Sequence, residues 1–306
     1  MKKFALWFSF ILLVCSLIGC QSVQMSNDQS PVDPGDVKYP LTIKDQAGNT
    51  VTIPKIPERI ISLVPSNTEI LFAIGAGQKV VGVTTNDDYP KEVKSLPKVG
   101  DMTINAEKVV AQKPDIIFAS MLNGKETIDK LKKLGLTVFV LDANSIKGVY
   151  QSIDLAGQVT NQLNQSDQLI GKMEQEKLKV FREVAQAKKN KLVKVWIESD
   201  PSLYTAGKGT LLNELITIAG GDNVAKNIAG WPQISSEQVV KWNPDVIVSM
   251  YGDTSVIKNR AGWSTVNAVK EKKIISIDPN IISRPGPRII EAMQQLAKTF
   301  YPGQVK

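Results

Sequence analysis

The feature that most constrains this chain is that it says one thing twice. The stretch Asn105-Ala106-Glu107-Lys108-Val109-Val110, closing on Pro114-Asp115-Ile116-Ile117-Phe118, returns about 130 residues later. There it reads Ser235-Ser236-Glu237-Gln238-Val239-Val240, closing on Pro244-Asp245-Val246-Ile247-Val248. Each copy has a residue able to cap a helix, a glutamate in the first turn, a Val-Val pair, and Pro-Asp opening an apolar run. That is a short helix followed by a buried strand. A second pair occurs in the same order: Thr68-Glu69-Ile70 leading to Gly75, and Asn213-Glu214-Leu215 leading to Gly220. Each glycine stands where a helix would end. A repeat this long is a duplicated half-molecule rather than a solenoid, whose period is roughly 20 to 50 residues.

The rest of the chain alternates in the same style. Arg59–Val64, Lys79–Val83, Asp115–Ala119 and Thr137–Leu141 read as buried strands, with helices at Ser66–Ile74, Ala106–Gln112 and Lys125–Leu134 between them. A hairpin is expected where Leu41-Thr42-Ile43 and Val51-Thr52-Ile53 flank Ala47-Gly48-Asn49. Ser166–Lys188 contains no proline and reads as one long helix, with Ile170, Met173, Lys177, Phe181 and Val184 on its buried face. Strands resume at Lys194–Glu198, Asp245–Ser249 and Lys273–Ile277, and Arg288–Phe300 closes the chain as a helix. The expected fold is α/β: two similar lobes with mainly parallel sheets, residues 39–160 and 191–306, joined by a helix within 161–190.

The N-terminus is different. Lys2 and Lys3 precede an apolar run, Phe4–Ile18, that is too short to span a bilayer, which takes about 20 residues. It ends in Leu17-Ile18-Gly19-Cys20, which resembles the bacterial lipobox, so residues 1–19 are expected to be a signal peptide and Cys20 a diacylated anchor. Two acyl chains give stable membrane attachment where one does not. Residues 20–38 are polar, with Pro31, Pro34 and Gly35, and read as a tether. Cys15 leaves with the signal, so no internal disulfide can form. Lys2 and Lys3 leave as well, taking the formal charge from +7 to +5. That charge is spread out, without the basic stripe and stacking aromatics of a nucleic-acid surface.

Catalysis lacks its usual equipment. The chain has no histidine, which removes the commonest general base, the usual triads and most transition-metal sites. Ser255-Val256-Ile257-Lys258 matches Ser-x-x-Lys, but its companion elements are missing. Gly207-Lys208-Gly209-Thr210 has Ser202 where a phosphate loop begins with glycine. The expectation is a monomeric, non-enzymatic binding protein with no metal or cofactor. A lipoprotein enzyme or an adhesin is the alternative from another class.

Four segments carry a family resemblance: Ile61-Ser62-Leu63-Val64-Pro65-Ser66-Asn67-Thr68-Glu69, Tyr204-Thr205-Ala206-Gly207-Lys208, Trp231-Pro232-Gln233-Ile234-Ser235-Ser236-Glu237, and Pro287-Arg288-Ile289-Ile290. From about Tyr39 to Gln304 the chain resembles the substrate-binding proteins of ABC importers, in the class whose lobes are joined by a rigid helix. Within that class it is most similar to cobalamin binders. The resemblance implies a cleft ligand and a permease dimer whose arginines pair with Glu107 and Glu237. Glu69 and Glu214 are weaker docking candidates, Glu69 being explained by a capping box at Ser66-Asn67-Thr68-Glu69.

Ligand is expected against loops at the carboxyl ends of strands. These carry Asn86, Asp88, Tyr89 and Met121 on the first lobe and Tyr204, Trp231, Tyr251 and Arg284 on the second. The resemblance assigns Tyr204 and Trp231 to cover a flat macrocycle and Arg284 to bond amide oxygens. Where cobalamin binders carry tryptophan on the first lobe, this chain has Met102 and Ser120 or Met121. A ferric siderophore, held by Arg284 with Arg260, or haem, ligated by tyrosinate or methionine, stays open beside cobalamin.

Overall fold

The computed structural model describes residues 36–187 and 192–305. The expected signal peptide, Cys20, the tether up to residue 35 and the basic run at 188–191 lie outside them. A hairpin of β1 (Leu41–Lys44) and β2 (Thr50–Ile53) comes first. The first lobe then runs β3 (Ile60–Ser62), α1 (Pro65–Ala73), β4 (Val80–Gly82), α2 (Ala106–Ala111), β5 (Ile116–Ala119), α3 (Lys125–Lys133) and β6 (Val138–Val140). Helices α4 (Ile146–Thr160) and α5 (Leu163–Ala187) follow. The second lobe runs β7 (Val193–Glu198), α6 (Leu211–Ile218), β8 (Gly221–Asn223), α7 (Ser236–Trp242), β9 (Val246–Ser249), α8 (Ser255–Lys258), α9 (Asn267–Lys270), β10 (Ile274–Ser276), α10 (Pro279–Ile282) and α11 (Ile289–Phe300).

The two sheets have one topology. Their strand orders are β4-β3-β5-β6 and β8-β7-β9-β10, parallel throughout. The echoed residues have the same tasks in both. Asn105 and Ser235 cap α2 and α7 by accepting from the amides of Lys108 and Gln238. Lys113 and Asn243 each turn the chain at φ +48° before the proline. The aspartate that follows then closes the start of the neighbouring strand: Asp115 accepts from the Arg59 amide at 2.9 Å, and Asp245 from the Lys194 amide at 3.1 Å. The sequence repeat is therefore a repeat of backbone hydrogen bonding that no other residue types supply as cheaply.

The glycines after the echoed glutamates end α1 and α6 at φ +85° and +83°. A methyl added at Gly75 would meet nothing closer than the Gln162 side chain at 3.5 Å. At Gly220 it would sit 2.6 Å from Val184 and 2.7 Å from Tyr301. Gly75→Ala is thus expected to cost about 1 kcal/mol of left-handed strain. Gly220→Ala adds an overpacking term of about 1–3 kcal/mol. Thermal melts that ranked the two variants the other way would contradict this.

Apart from the edge strands β4, β8 and β10 and the first residues of β7, the strands of the two sheets are buried on both faces, as parallel sheets require. On the inner faces, Ile60, Phe118 and Phe139 join Val195, Ile197 and Val248 in one core that continues through α4, α5 and α11. Ile61, Ile117 and Leu131 form a separate outer core in the first lobe, and Trp196, Ile247 and Trp263 one in the second. The connecting helix α5 has 25 residues, about 37 Å at 1.5 Å each, and packs against α4 and α11. Its buried face differs from the expected one. Met173 and Val184 are buried, but Phe181 is 58% exposed and Val180 takes its place. The face follows the seven-residue spacing Ser166, Met173, Val180, Ala187, because two flanking helices impose a narrower seam than a single apolar stripe. Helix α4 was not foreseen; Ser145 caps it, and Asn161 ends it at φ +57°.

Candidate functional site: the cleft between the lobes

A cleft of about 470 Å³ separates the lobes. Its first-lobe wall comes from the chain just beyond β3, β5 and β6, which carries Ser66 and Asn67, Ser120 and Leu122, and Asp142 and Asn144. The second-lobe wall holds Thr210, Trp231, Ser283 and Pro285. Short hydrogen bonds fix the polar groups. Asp142 accepts from the Ser120 hydroxyl at 2.6 Å and the Met121 amide at 3.0 Å, and its own amide donates to Gln46 of the hairpin at 2.6 Å. Asn123 ties the same turn to Leu63 at 3.0 Å. Asp142 is the single ionisable side chain among the lining residues.

On the opposite wall two loops pair like strands. The Gly207 amide donates to the Gly230 carbonyl at 2.8 Å, the Gly230 amide to Lys208 at 3.0 Å, and the Thr205 amide to Pro232 at 3.0 Å. Gly207 is required there, since a Cβ would lie 1.9 Å from the Ile228 carbonyl. This shelf carries Tyr204 and Trp231 outward, with Trp231 in the cleft wall and 51% exposed. An indole so exposed on a stiff loop has its apolar area free for a ligand. Across from it stands Leu122, 73% exposed, beside the exposed Met121. Leu122 had not been singled out. The first-lobe wall is aliphatic where an aromatic ring would be the stronger platform.

Four of the residues expected to meet ligand, Asn86, Asp88, Tyr89 and Arg284, lie at a different junction together with Glu69. Arg284 donates to Glu69 at 3.0 Å, Asp88 at 2.6 Å, the Asn86 carbonyl at 3.3 Å and Asn280 at 2.9 Å. Arg288 makes a bidentate pair with Glu69, at 2.9 and 2.6 Å, and lies 4.2 Å over the ring of Tyr89. Hydrogen bonding to Glu69 pushes the Arg288 pKa above its ordinary value. The turn carrying Asn86 and Asp88 is held by buried Asp87, which accepts from the Thr84 amide at 2.9 Å and from the Thr68 hydroxyl. Glu69, Asn86, Asp88, Tyr89 and Arg284 thus fasten lobe to lobe. The expected capping box at Ser66–Glu69 does not form: α1 starts at Pro65 with Val64 as its cap residue and no side-chain cap. The echoed Glu214 also reaches across, accepting from the Ile146 amide at the start of α4 at 2.9 Å.

Tyr251 packs against the outer core of the second lobe, its hydroxyl donating to the buried Glu198. Burial and then this hydrogen bond push its pKa up. Arg260, expected as a second cation for an anionic ligand, grips Glu198 at 2.7 and 2.8 Å and stacks on Trp263 at 4.4 Å. Neither arginine is a free guanidinium. Glu107 and Glu237, by contrast, are exposed in the first turns of α2 and α7 and have no partner among the described residues. Both helices begin on the side of the sheets where the parallel strands end, the side of the cleft.

A family model described as "Periplasmic binding protein" matches residues 60–281. The chain belongs to that family. A substrate-binding lipoprotein of an ABC transporter from Bacillus subtilis is 40% identical over 313 residues, covering 100% of this chain and 99% of the relative. A vitamin B12-binding protein of Yersinia pestis is 32% identical, covering 81% of this chain and 88% of the relative. Among solved structures, a possible iron-binding, periplasmic solute-binding protein from Staphylococcus epidermidis is 36% identical with a TM-score of 0.73, covering 81% of this chain and all of that one. The chain is a periplasmic binding protein built as two parallel-sheet lobes joined by a long helix, and a homologue of ABC-transporter substrate-binding lipoproteins.

Sequence reasoning missed Ser66, Asn67, Leu122, Asp142 and Asn144. The rule that ligands meet the carboxyl ends of strands, applied to β3 and β6 as it was to β4 and β5, points to Ser66, Asn67, Asp142 and Asn144, while Leu122 stands next to Met121, which that rule had already picked out.

Proposed function

We propose that this family member is an extracytoplasmic lipoprotein, anchored through Cys20, that captures cobalamin or a related corrinoid in the inter-lobe cleft. It hands the ligand to an importer permease dimer that docks on Glu107 and Glu237. The observation that carries the ligand reading is the shelf that sets a half-exposed Trp231 into the wall of a cleft of mixed polarity whose one ionisable lining residue is Asp142, with Tyr204 exposed on the same shelf. A corrinoid offers a broad apolar face to such a ring and amides at its rim. An anionic siderophore is disfavoured because Arg284 and Arg260 are already neutralised by Glu69, Asp88 and Glu198. The 32%-identical B12-binding relative supports the same choice.

Residues 21–306 are expected to bind cyanocobalamin one to one in a calorimeter. Trp231→Ala is expected to weaken that binding about 30-fold, the loss of an aromatic hot spot worth about 2 kcal/mol. No heat with cyanocobalamin, alongside clear binding of a ferric siderophore or haemin, overturns the ligand assignment.

A further inference from the structure

We propose that Ser236 is a positioning residue for docking: anchored by the Trp263 indole, it ties the turn that carries Glu237 to the shelf that carries Trp231. The role rests on Glu237 being a docking glutamate.

The tie begins with a short covalent path. Pro232, Gln233, Ile234, Ser235 and Ser236 are all that separate Trp231 from Glu237, and each of them is held. The Pro232 carbonyl accepts from the Thr205 amide at 3.0 Å, and the Ile234 amide donates to the Leu203 carbonyl at 3.0 Å. The Gln233 side chain donates to the Ser202 carbonyl at 2.9 Å, and the Ile234 side chain is buried in the outer core of the second lobe. Ser235 caps α7, and the Ser236 hydroxyl accepts from the Trp263 Nε1–H at 2.7 Å. Cleft wall and docking turn are therefore the two ends of one fastened strap.

The anchor is itself braced. Trp263 is fully buried, and Arg260 stacks on its ring at 4.4 Å while gripping Glu198, the last residue of β7. The next residue, Ser199, donates its amide to the Tyr204 carbonyl at 2.9 Å, on the shelf. The path from Ser236 through Trp263, Arg260 and Glu198 thus returns to the shelf that the strap leaves. Such a closed ring of packed and hydrogen-bonded groups is what holds a functional side chain to one geometry.

The first lobe is built without this tie. Ala106 stands where Ser236 does, between the cap residue and the glutamate, and its methyl group accepts no hydrogen bond. Helix α2 is entered instead through a local turn, in which the Asp101 amide donates to the Thr103 carbonyl and the Asn105 amide to the Val99 carbonyl. The two docking glutamates are therefore unequal: Glu107 follows a local turn, and Glu237 follows the ligand wall.

The test combines relaxation measurements on the isotope-labelled soluble protein with uptake of cyanocobalamin by proteoliposomes carrying the permease dimer, titrated with loaded binding protein. Ser236→Ala is expected to lower the order parameter of the Glu237 amide from about 0.85 toward about 0.6. Docking must then supply the lost ordering, so the half-saturating concentration of binding protein is expected to rise about 3- to 10-fold at an unchanged maximal rate. Calorimetric affinity for cyanocobalamin stays within twofold of the parent, because the Thr205 and Leu203 bonds still hold the shelf. Ser236→Thr, which keeps the acceptor, is expected to restore both readouts. Trp263→Phe removes the donor, and combining it with Ser236→Ala is expected to weaken docking no further than either alone. A serine that merely satisfies a buried indole predicts a lower melting temperature with the order parameter and the half-saturating concentration unmoved, and that result overturns the proposal. Ser236→Ala without effect on uptake beside a defective Glu237→Ala overturns the proposal and leaves the docking reading standing. Glu237→Ala without effect overturns both. If cyanocobalamin is not taken up, the order parameters decide: a fall in Ser236→Ala that Ser236→Thr reverses supports the tie, and an unchanged value overturns it.

Discussion

Glu69→Ala is expected to lower the stability of the soluble protein by about 3–5 kcal/mol, the largest loss of any single side-chain truncation at the lobe boundary. The Glu69 side chain is 1% exposed and holds Arg284 and Arg288, themselves 11% and 15% exposed. Removing the shared carboxylate leaves two desolvated guanidiniums facing each other, and a broken buried pair costs several times what an intact one contributes. Asp88 is the control. It reaches the same Arg284 but is 49% exposed, so Asp88→Ala is expected to cost no more than about 1 kcal/mol, and less in high salt. Denaturant unfolding of both variants at low and high salt measures the contrast. A Glu69→Ala loss below about 1 kcal/mol would show that the bridge is not a buried pair in solution. The lobe spacing is implicated as well, since Glu69 and its echo Glu214 each bond to a segment beyond the other lobe's last strand: Arg284 and Arg288 in one case, the start of α4 in the other.

This crossing pattern explains why the repeat was readable while its meaning was not. Periodicity and Pro-Asp punctuation are local, so the hairpin, seven of the eight strands of the two sheets, helices α1 to α3 and the duplication were evident in the sequence, and both sheets are parallel as expected; β8, three residues opening on Gly221, carries no apolar run to announce it. The role of Glu69 is not local. Its partners are more than 200 positions away, and the nearby Ser66-Asn67-Thr68-Glu69 pattern offered a cheaper explanation that Pro65, by starting the helix one residue earlier, removes. The same holds for Arg284 and Arg260: a cation in a cleft-side loop looks available until the fold brings a carboxylate to it. Trp231 was legible because a tryptophan before proline in a turn has little local reason to exist. Ser66 and Asp142 were not, because a serine and an aspartate after a strand are ordinary turn residues until the fold sets both in one wall of the cleft.

Glu107→Ala and Glu237→Ala are expected to abolish transport together while leaving ligand affinity within twofold of the parent. Each carboxylate is exposed, and neither is spent on a partner among the described residues. The local benefit of either is the helix-dipole term, about 0.3–1 kcal/mol, so folding survives their loss. An arginine fork from the proposed permease would add a charge-assisted, bidentate bond of about 1.5–3 kcal/mol at each lobe, or about 10- to 100-fold in affinity. Two such bonds on one rigid body multiply rather than add, because the second forms at the effective concentration set by the first. The single variants should therefore reduce docking by one to two decades and the double variant by about three. Swapping Glu107 for Asp, which keeps the charge but shortens the reach, should fall between the parent and alanine. Uptake by proteoliposomes carrying the permease, measured beside calorimetry on the isolated protein, separates the two effects. Lost ligand affinity in either single variant would move these glutamates out of the docking surface and into the cleft.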